Sequence, residues 1–374
     1  MSTALPVNDS KTIIFEKWEE TAKNKLGKGA FDYVQSGSGG EETLQKNVQA
    51  FKEWDIIPRV LTNVETRDLT TSLFEKKLAV PFFLAPVGFQ TVVHPEGELA
   101  SARAASSLSV PYIASTVSSF SLEEIGEASV GSPRYFQLYW PNDDEVATSF
   151  VKRAEAAGYD AIVVTVDTTV LGWRERDLQN QYFPMQTGAG IANFVNDPVF
   201  QEKYNRDGLL DTNELINAIR KILLNQSITW EKLGWLKQQT RLPIILKGIL
   251  HKDDAQLAIE HGIDGIIVSN HGGRQLDGVR STLAALPSIV EVINGRISVL
   301  FDSGVRRGTD IIKALALGAD AVLIGRPFVY GLVDGENGVR EVLQNLVADL
   351  DTSLALTGKT SVKDIDCSIV ERVY

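Results

Sequence analysis

The sequence predicts an α/β protein whose fold is a (β/α)8 barrel, also called a TIM barrel. Eight short runs rich in β-branched and aromatic residues recur along the chain, and helical patterns separate them. Each run is nearly continuous in apolar residues, as expected of a strand that is covered on both faces. The runs are 81–86, 111–115, 135–139, 161–167, 243–247, 265–270, 298–302 and 321–325. A doubly wound open sheet is the alternative, but no Gly-x-Gly-x-x-Gly motif follows the first run.

Helices are predicted where apolar residues recur at three- and four-residue spacing between the runs. In 144–157 four apolar residues share one face, and Gly158 follows as a C-terminal stop. The same pattern, again followed by a glycine, predicts helices over 252–261 and 308–317. Alternation of strands with such helices is what a parallel barrel requires.

Three segments fall outside the repeat. Residues 11–62 form a predicted N-terminal helical extension, and residues 337–357 a predicted final helix. A long insertion, residues 168–226, follows the fourth strand. Loops of this length at that position usually act as lids or determine specificity, and an oligomer contact is the alternative. We therefore expect a single domain over 1–374, with the barrel at about 78–335 and this lid insertion above it.

The charge balance bears on the class of partner. The formal net charge of the 374 residues is −11 at pH 7. A nucleic-acid surface needs clustered positive charge to neutralise phosphates, so no nucleic-acid partner is expected. A small anionic substrate is compatible with this charge, because a local pair of arginines can dominate the potential of one pocket.

Targeting and redox features point to a cytoplasmic protein. Residues 1–20 have no basic region followed by an apolar run, so no signal peptide is expected. No apolar stretch approaches the ~18 residues of a membrane helix, so no membrane partner is expected. The single cysteine, Cys367, cannot form an intrachain disulfide, which fits a reducing compartment. No Cys/His cluster has the spacing of a metal site.

Polar residues follow the predicted strands at the ends where barrel enzymes place their chemistry. One polar strand end is a weak signal, since any strand can end in a polar residue, but here six strands share the feature. Turn chemistry alone is the alternative explanation. The residues are Ser115, Gln137, Tyr139, Thr165, Asp167, Lys247, Ser269, Asn270, His271, Asp302 and Ser303.

The last two strands are followed by segments typical of a phosphate site. Gly304-Val-Arg306 leads into a predicted helix, and Gly325-Arg326 follows the eighth run. Backbone amides at a helix N-terminus together with an arginine suit a phosphate dianion. Tight-turn glycines with surface arginines are the alternative. Lys247 is expected to point from the fifth strand into the barrel mouth, where a buried lysine needs an anion. An anionic reduced cofactor ring or a structural ion pair would meet that need.

His271 is the best candidate for a catalytic base among the four histidines. It follows a buried strand and precedes two glycines, so a ligand could approach its backbone closely. Asp167, at another strand end, could orient its imidazole. Arg274 and Arg174 are close to this position, and two arginines near one base indicate bidentate capture of a carboxylate. The other histidines are His94, which is ambiguous, and His251 and His261, which are predicted to be structural.

Three segments carry a resemblance to a known family. Ser269-Asn-His-Gly-Gly-Arg-Gln275, Phe301-Asp-Ser-Gly-Val-Arg306 and Gly325-Arg-Pro327 resemble the signature segments of FMN-dependent enzymes that oxidise L-2-hydroxy acids. The resemblance extends from about Ala30 to about Gly358. Other classes stay open on the residues alone, namely a flavin-dependent isomerase barrel and a barrel that binds FMN without turnover.

The resemblance implies a role for each candidate residue. His271 would take the substrate hydroxyl proton with Asp167 behind it, and Lys247 would stabilise negative charge on the reduced flavin. The substrate carboxylate would be held by Arg174, Arg274, Tyr33 and Tyr139. The flavin ring would lie against Pro86, Val87, Gly88, Ser115, Gln137 and Thr165. The remaining cofactor-binding residues, toward ribityl and phosphate, would be Ser269, Asp302, Ser303, Gly304, Arg306, Gly325 and Arg326.

Within the family the resemblance is greatest to the lactate oxidases and lactate monooxygenases. It implies oxidation of L-lactate to pyruvate with O2 as electron acceptor and hydrogen peroxide as product, in a homotetramer. The alternative is the monooxygenase reaction, which gives acetate, CO2 and water. Gly88 stands where an alanine is typical of lactate oxidases. A smaller residue there is expected to favour retention of pyruvate, although product release also depends on the lid.

Overall fold

A computed structural model describes residues 14–373 and contains a closed barrel of eight parallel strands. All eight predicted strands are present, and the last pairs with the first. We number the barrel strands in chain order. They are β1 Phe82–Leu84, β2 Tyr112–Ser115, β3 Arg134–Leu138, β4 Ala161–Thr165, β5 Ile244–Ile249, β6 Gly265–Val268, β7 Ser298–Phe301 and β8 Ala321–Ile324. The (β/α)8 prediction is therefore confirmed.

Helices surround the barrel and match the predicted periodic segments. They pack their apolar faces on the outward side chains of the strands, so that each strand is covered on its outer face. The final helix begins at Gly335, two residues earlier than predicted. The barrel helices are Gly97–Ser107, Leu122–Ala128, Asp144–Ala156, Trp230–Gln239, Lys252–Glu260, Thr282–Ile293, Gly308–Ala316, Arg326–Gly331 and Gly335–Thr357.

Side-chain alternation along the strands determines what faces the barrel axis. An apolar layer fills the interior, with one or two residues from every strand. Because the side-chain period is two, the residue two positions further along each strand also faces inward, at the carboxyl end. The first set is Phe83, Ile113, Tyr135, Val163, Ile245, Ile267, Leu300 and Leu323. The second set is Ala85, Ser115, Gln137, Thr165, Lys247, Ser269, Asp302 and Gly325. The rim of polar residues thus stands directly above a packed apolar layer.

A short hairpin closes the opposite end of the barrel. Its strands, Thr71–Leu73 and Lys76–Leu78, pair antiparallel. Leu73 and Leu78 belong to the interior cluster, and the Phe74 ring lies 6.2 Å from that of Tyr135. The hairpin was not predicted, because two three-residue strands are too short for a periodicity to show.

The N-terminal extension is only partly helical. Its helices are Phe15–Lys25, Lys28–Gln35 and Glu42–Gln49, followed by a 3-10 turn. The prediction of a helical segment to residue 62 is wrong at its end, because Trp54–Ile56 is a strand that pairs antiparallel with Val370–Arg372. Such a pairing joins segments over 300 residues apart, which local sequence patterns do not reveal.

The lid insertion is built from short helices. They are Glu175–Asn180, Pro184–Thr187 (3-10), Ala192–Val195, Pro198–Tyr204 and Thr212–Ile222. Within residues 14–373 no helix is long and apolar enough to cross a membrane. The expected absence of a signal peptide rests on residues 1–20, of which 1–13 lie outside the described residues, as do the first three residues of the predicted extension. The single-domain organisation stays a prediction.

Candidate active site

A cavity of about 490 Å³ opens at the carboxyl ends of the strands, beneath the lid insertion. This is the end at which barrel enzymes bind their substrates. Sixteen of the predicted site residues line it: Tyr33, Pro86, Val87, Gly88, Ser115, Tyr139, Arg174, Lys247, His271, Arg274, Asp302, Ser303, Gly304, Arg306, Gly325 and Arg326. The other four lie directly under the lining and are hydrogen-bonded to it or to one another. They are Gln137, Thr165, Asp167 and Ser269.

His271 and Asp167 form a hydrogen-bonded pair across two strand ends. Nδ1 of His271 lies 2.9 Å from Oδ1 of Asp167. This contact places the ring proton on Nδ1 and leaves Nε2 unprotonated, facing the cavity 3.3 Å from the hydroxyl of Tyr139. The backbone of His271 is left-handed, with φ of +59°, and its N–H donates to Ser269 Oγ at 3.1 Å. The structure therefore brings together the two residues that were predicted to act as base and orienting carboxylate.

Burial of this pair favours the neutral form of the imidazole. Burial lowers the pKa of His271 below 6.5, although the neighbouring Asp167 carboxylate acts in the opposite direction. For Asp167, burial favours the protonated form, but its interaction with the His271 ring and the charge of Lys247 outweigh it and bring the pKa to about 2. Oδ2 of Asp167 is buried without a hydrogen-bond partner among the described residues. A neutral imidazole beside a carboxylate is the state that a general base requires.

Two arginines stand beside His271 at the cavity wall. Arg274 donates from Nη1 to the carbonyls of Tyr33 at 2.6 Å and Ser36 at 2.9 Å, and its guanidinium lies 4.8 Å from the Tyr33 ring centre. Arg174 donates from Nε to the carbonyl of Arg274 at 3.2 Å. Burial and the charge of Arg174 lower the pKa of Arg274 to about 10, so it stays a cation at neutral pH. Two cations this close favour binding of an anion between them.

Lys247 is 4% exposed and bonded within the barrel mouth. Its ammonium donates to Ser269 Oγ at 3.0 Å and lies 3.4 Å from Oδ2 of Asp302. The structural ion pair considered as an alternative therefore exists. The side chain also lines the cavity, so a ligand there would face this cation.

A chain of side-chain hydrogen bonds joins the ends of β2, β3 and β4. Ser115 Oγ donates to Gln137 Oε1 at 3.1 Å, and Gln137 Nε2 donates to Thr165 Oγ1 at 3.0 Å. All three side chains are buried. The chain fixes the orientation of the Gln137 amide, and Ser115 forms the part of it that reaches the cavity.

Arg306 and Arg326 occupy the end of the cavity formed by the last two strands. Burial lowers the pKa of both guanidinium groups, to about 9 for Arg326, and neither forms an ion pair within residues 14–373. Arg326 donates to the carbonyls of Val34, Gly272 and Ser36. They are thus not surface arginines, in contrast to Arg307, which pairs with Glu16 at the surface. Buried cations without a carboxylate indicate a site for an external anion.

The backbone around these arginines leaves room for that anion. Gly325 directly follows β8, and a Cβ built there would meet nothing closer than Ala85 Cβ at 4.0 Å. Gly304 has φ of +93°, and a Cβ built on it would overlap with the carbonyl of Asn47. Ser303 donates to Asp302 Oδ1 at 2.7 Å. A glycine at a helix start, here Gly325, together with two arginines matches the chemistry of a phosphate group.

Comparison with known proteins shows to which family this chain belongs. The model of the family described as FMN-dependent dehydrogenase matches residues 22–372. This chain belongs to that family. It is 48% identical over 354 residues to an L-lactate oxidase of Lysinibacillus sphaericus (strain C3-41), covering 94% of this chain and 91% of that protein. It is 42% identical to 2-hydroxyacid oxidase 1 of Homo sapiens, over 97% of both chains. A crystal structure of mandelate oxidase superposes with a TM-score of 0.86 at 37% identity, over 96% of this chain and 98% of that one.

The cavity of this FMN-dependent dehydrogenase fits its cofactor. FMN carries a phosphate, and the unpaired cations Arg306 and Arg326 stand at one end of the cavity. Away from these arginines, Lys247 and the Ser115 hydroxyl line the same cavity and would offer polar groups to a flavin ring. Chemically, the donor set suits a dianion at one end and a flat, hydrogen-bonding ring at the other.

Sequence reasoning missed three polar residues that support the site of this dehydrogenase. Thr168 Oγ1 donates to Asp167 Oδ1 at 2.7 Å and so helps to hold that carboxylate. Gln275 donates to the carbonyls of Asp167 and Val170 at 2.8 and 2.9 Å. Asp177 lines the cavity with its Oδ2 3.9 Å from Nη2 of Arg274, and burial raises its pKa. Gln275 lies within the motif Ser269–Gln275, and Asp177 lies within the lid insertion. Only the fold shows what these two residues contact.

Gly88 does not provide the free space expected from the sequence. A Cβ built on it would lie 2.5 Å from the Val117 carbonyl oxygen, 2.6 Å from Val117 Cγ2 and 3.1 Å from Ser115 Oγ. Val117 therefore fills the volume that an alanine methyl would take. The glycine is required by the close approach of two loops, and a larger chamber for pyruvate does not follow from it.

We expect Gly88→Ala to lower the free energy of unfolding by about 1–3 kcal/mol, the usual cost of an added methyl in a packed site. Because the two loops must separate to admit the methyl, the affinity for FMN should fall as well. Thermal melting and FMN titration of the apoprotein measure the two effects. Gly234→Ala is the control, since a Cβ there would meet nothing within 4 Å and Gly234 is an exposed position of the helix Trp230–Gln239. Unchanged stability and FMN affinity in Gly88→Ala would disprove the close packing.

Proposed function

We propose that this FMN-dependent dehydrogenase oxidises L-lactate to pyruvate and passes the electrons to O2, which is reduced to hydrogen peroxide. The observation that carries the proposal is the convergence of the His271–Asp167 pair and two arginines on one cavity. A base beside a carboxylate-binding pair is what a 2-hydroxy acid needs. The name of the L-lactate oxidase relative supports lactate as the substrate among such acids.

The substrate carboxylate is held by Arg174 and Arg274 in this proposal. Both hydrogen bonds that Arg274 makes within residues 14–373 come from Nη1. Its Nε and Nη2 protons form no hydrogen bond there, although Nη2 lies 3.9 Å from Oδ2 of Asp177, so a ligand carboxylate would meet them beside that side chain. The hydroxyls of Tyr33 and Tyr139 complete the carboxylate pocket. Burial raises the pKa of Tyr139, so it acts as a hydrogen-bond donor and carries no charge.

His271 removes the proton of the substrate hydroxyl. Its Nε2 faces the cavity beside the Tyr139 hydroxyl, which the incoming substrate hydroxyl would replace. Asp167 holds Nδ1–H and stabilises the imidazolium that forms. As the Cα–H bond breaks and the carbonyl forms, FMN, when bound, would accept the α-hydrogen together with its two bonding electrons. Lys247 faces the same region and stabilises the negative charge that this transfer produces.

The proposal also covers the cellular location, the oligomeric state and the oxidant of this enzyme. We propose that the enzyme works in the cytoplasm as a homotetramer, with O2 as the oxidant. Light scattering of the purified protein tests the tetramer through its mass. The monooxygenase outcome has no support in the structure, because Val117 occupies the space beside Gly88.

An anaerobic spectrum followed by product analysis tests the function. The purified protein should show a flavin band near ~450 nm, and L-lactate should bleach it without O2. Bleaching excludes the isomerase and the carrier. Under O2 with catalase present, pyruvate should accumulate, whereas acetate and CO2 would indicate the monooxygenase reaction. Failure of L-lactate to bleach the flavin would contradict the proposal.

We expect flavin reduction by L-lactate to slow at acid pH as His271 becomes protonated. Because burial lowers the pKa of His271 below 6.5, the midpoint of this fall should lie below 6.5. Asp167→Asn removes the carboxylate that raises the pKa of His271, so the midpoint should move to still lower pH. The second-order rate constant for anaerobic reduction, measured against pH, reports both midpoints. A midpoint that rises in Asp167→Asn would contradict the assigned pair.

A further inference from the structure

The loop after β1 contains a bulky residue in a backbone conformation that such residues avoid. Phe89 has φ of +57° and ψ of 28°, in the left-handed region. Its N–H donates to the Val117 carbonyl at 2.9 Å, and the next N–H, of Gln90, donates to the buried Glu98 carboxyl at 3.0 Å. Strained residues persist where the surroundings hold them, often because their side chain has a function.

The Phe89 ring packs directly against the lid insertion. Gly190, in the lid, has φ of +75°, and a Cβ built on it would overlap with Cδ1 and Cε1 of the ring. The same Cβ would lie 2.9 Å from the Val117 carbonyl oxygen. The Gly190 N–H donates to Ser119 Oγ at 3.2 Å. The lid backbone thus rests on the ring with no room for a side chain between them.

The ring also contacts the group proposed to bind the carboxylate. Phe89 and Tyr33 pack edge to face, with ring centres 6.1 Å apart at 85°. The Arg274 guanidinium lies 4.8 Å from the centre of the Tyr33 ring and donates to the Tyr33 carbonyl. Contacts therefore run without a gap from Gly190 through Phe89 and Tyr33 to Arg274. A second lid residue reaches the same ring, since the ring centre of Tyr182 lies 6.3 Å from that of Tyr33.

We propose that Phe89 is a positioning residue that couples the seating of the lid to the orientation of Arg274. When Gly190 rests on the ring, Tyr33 is pressed against the guanidinium and the arginine is held ready for a carboxylate. When the lid lifts, this support is lost and carboxylate affinity falls. By linkage, a bound 2-hydroxy acid or other small carboxylate favours the seated lid to the same extent. The inference rests on the proposed role of Arg274.

The test is a double-mutant cycle with the FMN-loaded protein. Gly190→Ala inserts a methyl against the ring, and we expect it to weaken oxalate and L-lactate binding about tenfold, within the usual range of a coupled contact. Phe89→Leu should weaken binding too. In Phe89→Leu/Gly190→Ala the loss should be smaller than the product of the two single losses, because the shorter side chain admits the methyl.

Gly188→Ala is the matched control. Gly188 has φ of +83° in the same lid, but its Cβ would meet only Thr212 Cγ2 at 3.8 Å. The Gly188→Ala variant therefore introduces the same backbone strain without the contact to Phe89. Its affinity for oxalate and L-lactate should change less than about twofold. Limited proteolysis of the lid supplies a second measurement. Oxalate should protect the lid from cleavage in the wild type and in Gly188→Ala. In Gly190→Ala the protection by oxalate should be weaker.

Two outcomes would overturn the coupling: unchanged oxalate affinity in Gly190→Ala, or single losses that multiply in the double variant. The proposed function fails separately. If oxalate binds and protects the lid but L-lactate does not bleach the flavin, the substrate is wrong and the coupling stands. If the wild type binds neither carboxylate, both proposals fall.

Discussion

Replacing His271 with glutamine is expected to leave FMN bound and to slow flavin reduction by L-lactate roughly 10²–10⁴-fold, the range of a positioned general base. Glutamine keeps a polar side chain of similar length, but its amide cannot accept the hydroxyl proton. FMN retention is expected because the phosphate end of the cavity, around Arg306 and Arg326, is untouched. Anaerobic stopped-flow bleaching of the flavin band measures the rate.

The control for this variant is His251→Asn. His251 is exposed and caps the helix Lys252–Glu260 by accepting the Asp253 N–H at 3.2 Å. Asparagine preserves such a cap, so only the imidazole is lost. Its reduction rate should equal that of the wild type. A His271→Gln enzyme that reduces its flavin at a near-normal rate would remove His271 from the mechanism.

Replacing Arg274 with lysine is expected to weaken L-lactate and oxalate binding by about tenfold to a hundredfold. A charge-assisted hydrogen bond is worth about 1.5–3 kcal/mol, and lysine cannot reproduce the planar fork of a guanidinium. The charge is retained, so the loss reports geometry. Spectral titration with oxalate gives the dissociation constant, and reduction at saturating L-lactate separates binding from chemistry.

Arg176→Lys is the matched control for this second variant. Arg176 lies in the same lid helix as Asp177 but pairs with Gln35 and Glu41, and it does not line the cavity. The Arg176→Lys enzyme should bind oxalate and L-lactate with the affinity of the wild type. Arg274 also supports the carbonyls of Tyr33 and Ser36, so FMN content and melting temperature are measured alongside. Unaltered oxalate affinity in a folded Arg274→Lys enzyme would show that another group holds the carboxylate.

The fold and much of the site could be predicted because both depend on short-range patterns. A strand buried on both faces shows as an apolar run, and a polar residue at its end is visible in the same few letters. Since side chains alternate, Ser115, Lys247 and Ser269 each lie two residues beyond an interior residue of their own strand. Parallel strands in a closed barrel then bring these ends together without further information.

Other parts of the site could not be predicted from such patterns. Tyr33 comes from the N-terminal extension, and nothing in the letters around it places it beside Arg274; the family resemblance alone implied it. The hairpin that closes the barrel and the pairing of Trp54–Ile56 with Val370–Arg372 were missed altogether. Their segments are short, and their partners or packing surfaces are distant in the chain.

By itself, the sequence determined the eight strands, the helices that cover them, the polar barrel rim and the candidate base. These features follow from periodicity and residue type over a few neighbouring positions. Only the tertiary structure decided the protonation of His271, the filled space beside Gly88 and the contact of Phe89 with the lid. Burial, steric exclusion and electrostatic coupling depend on atoms brought together from distant segments, and their distances exist only once the chain is folded.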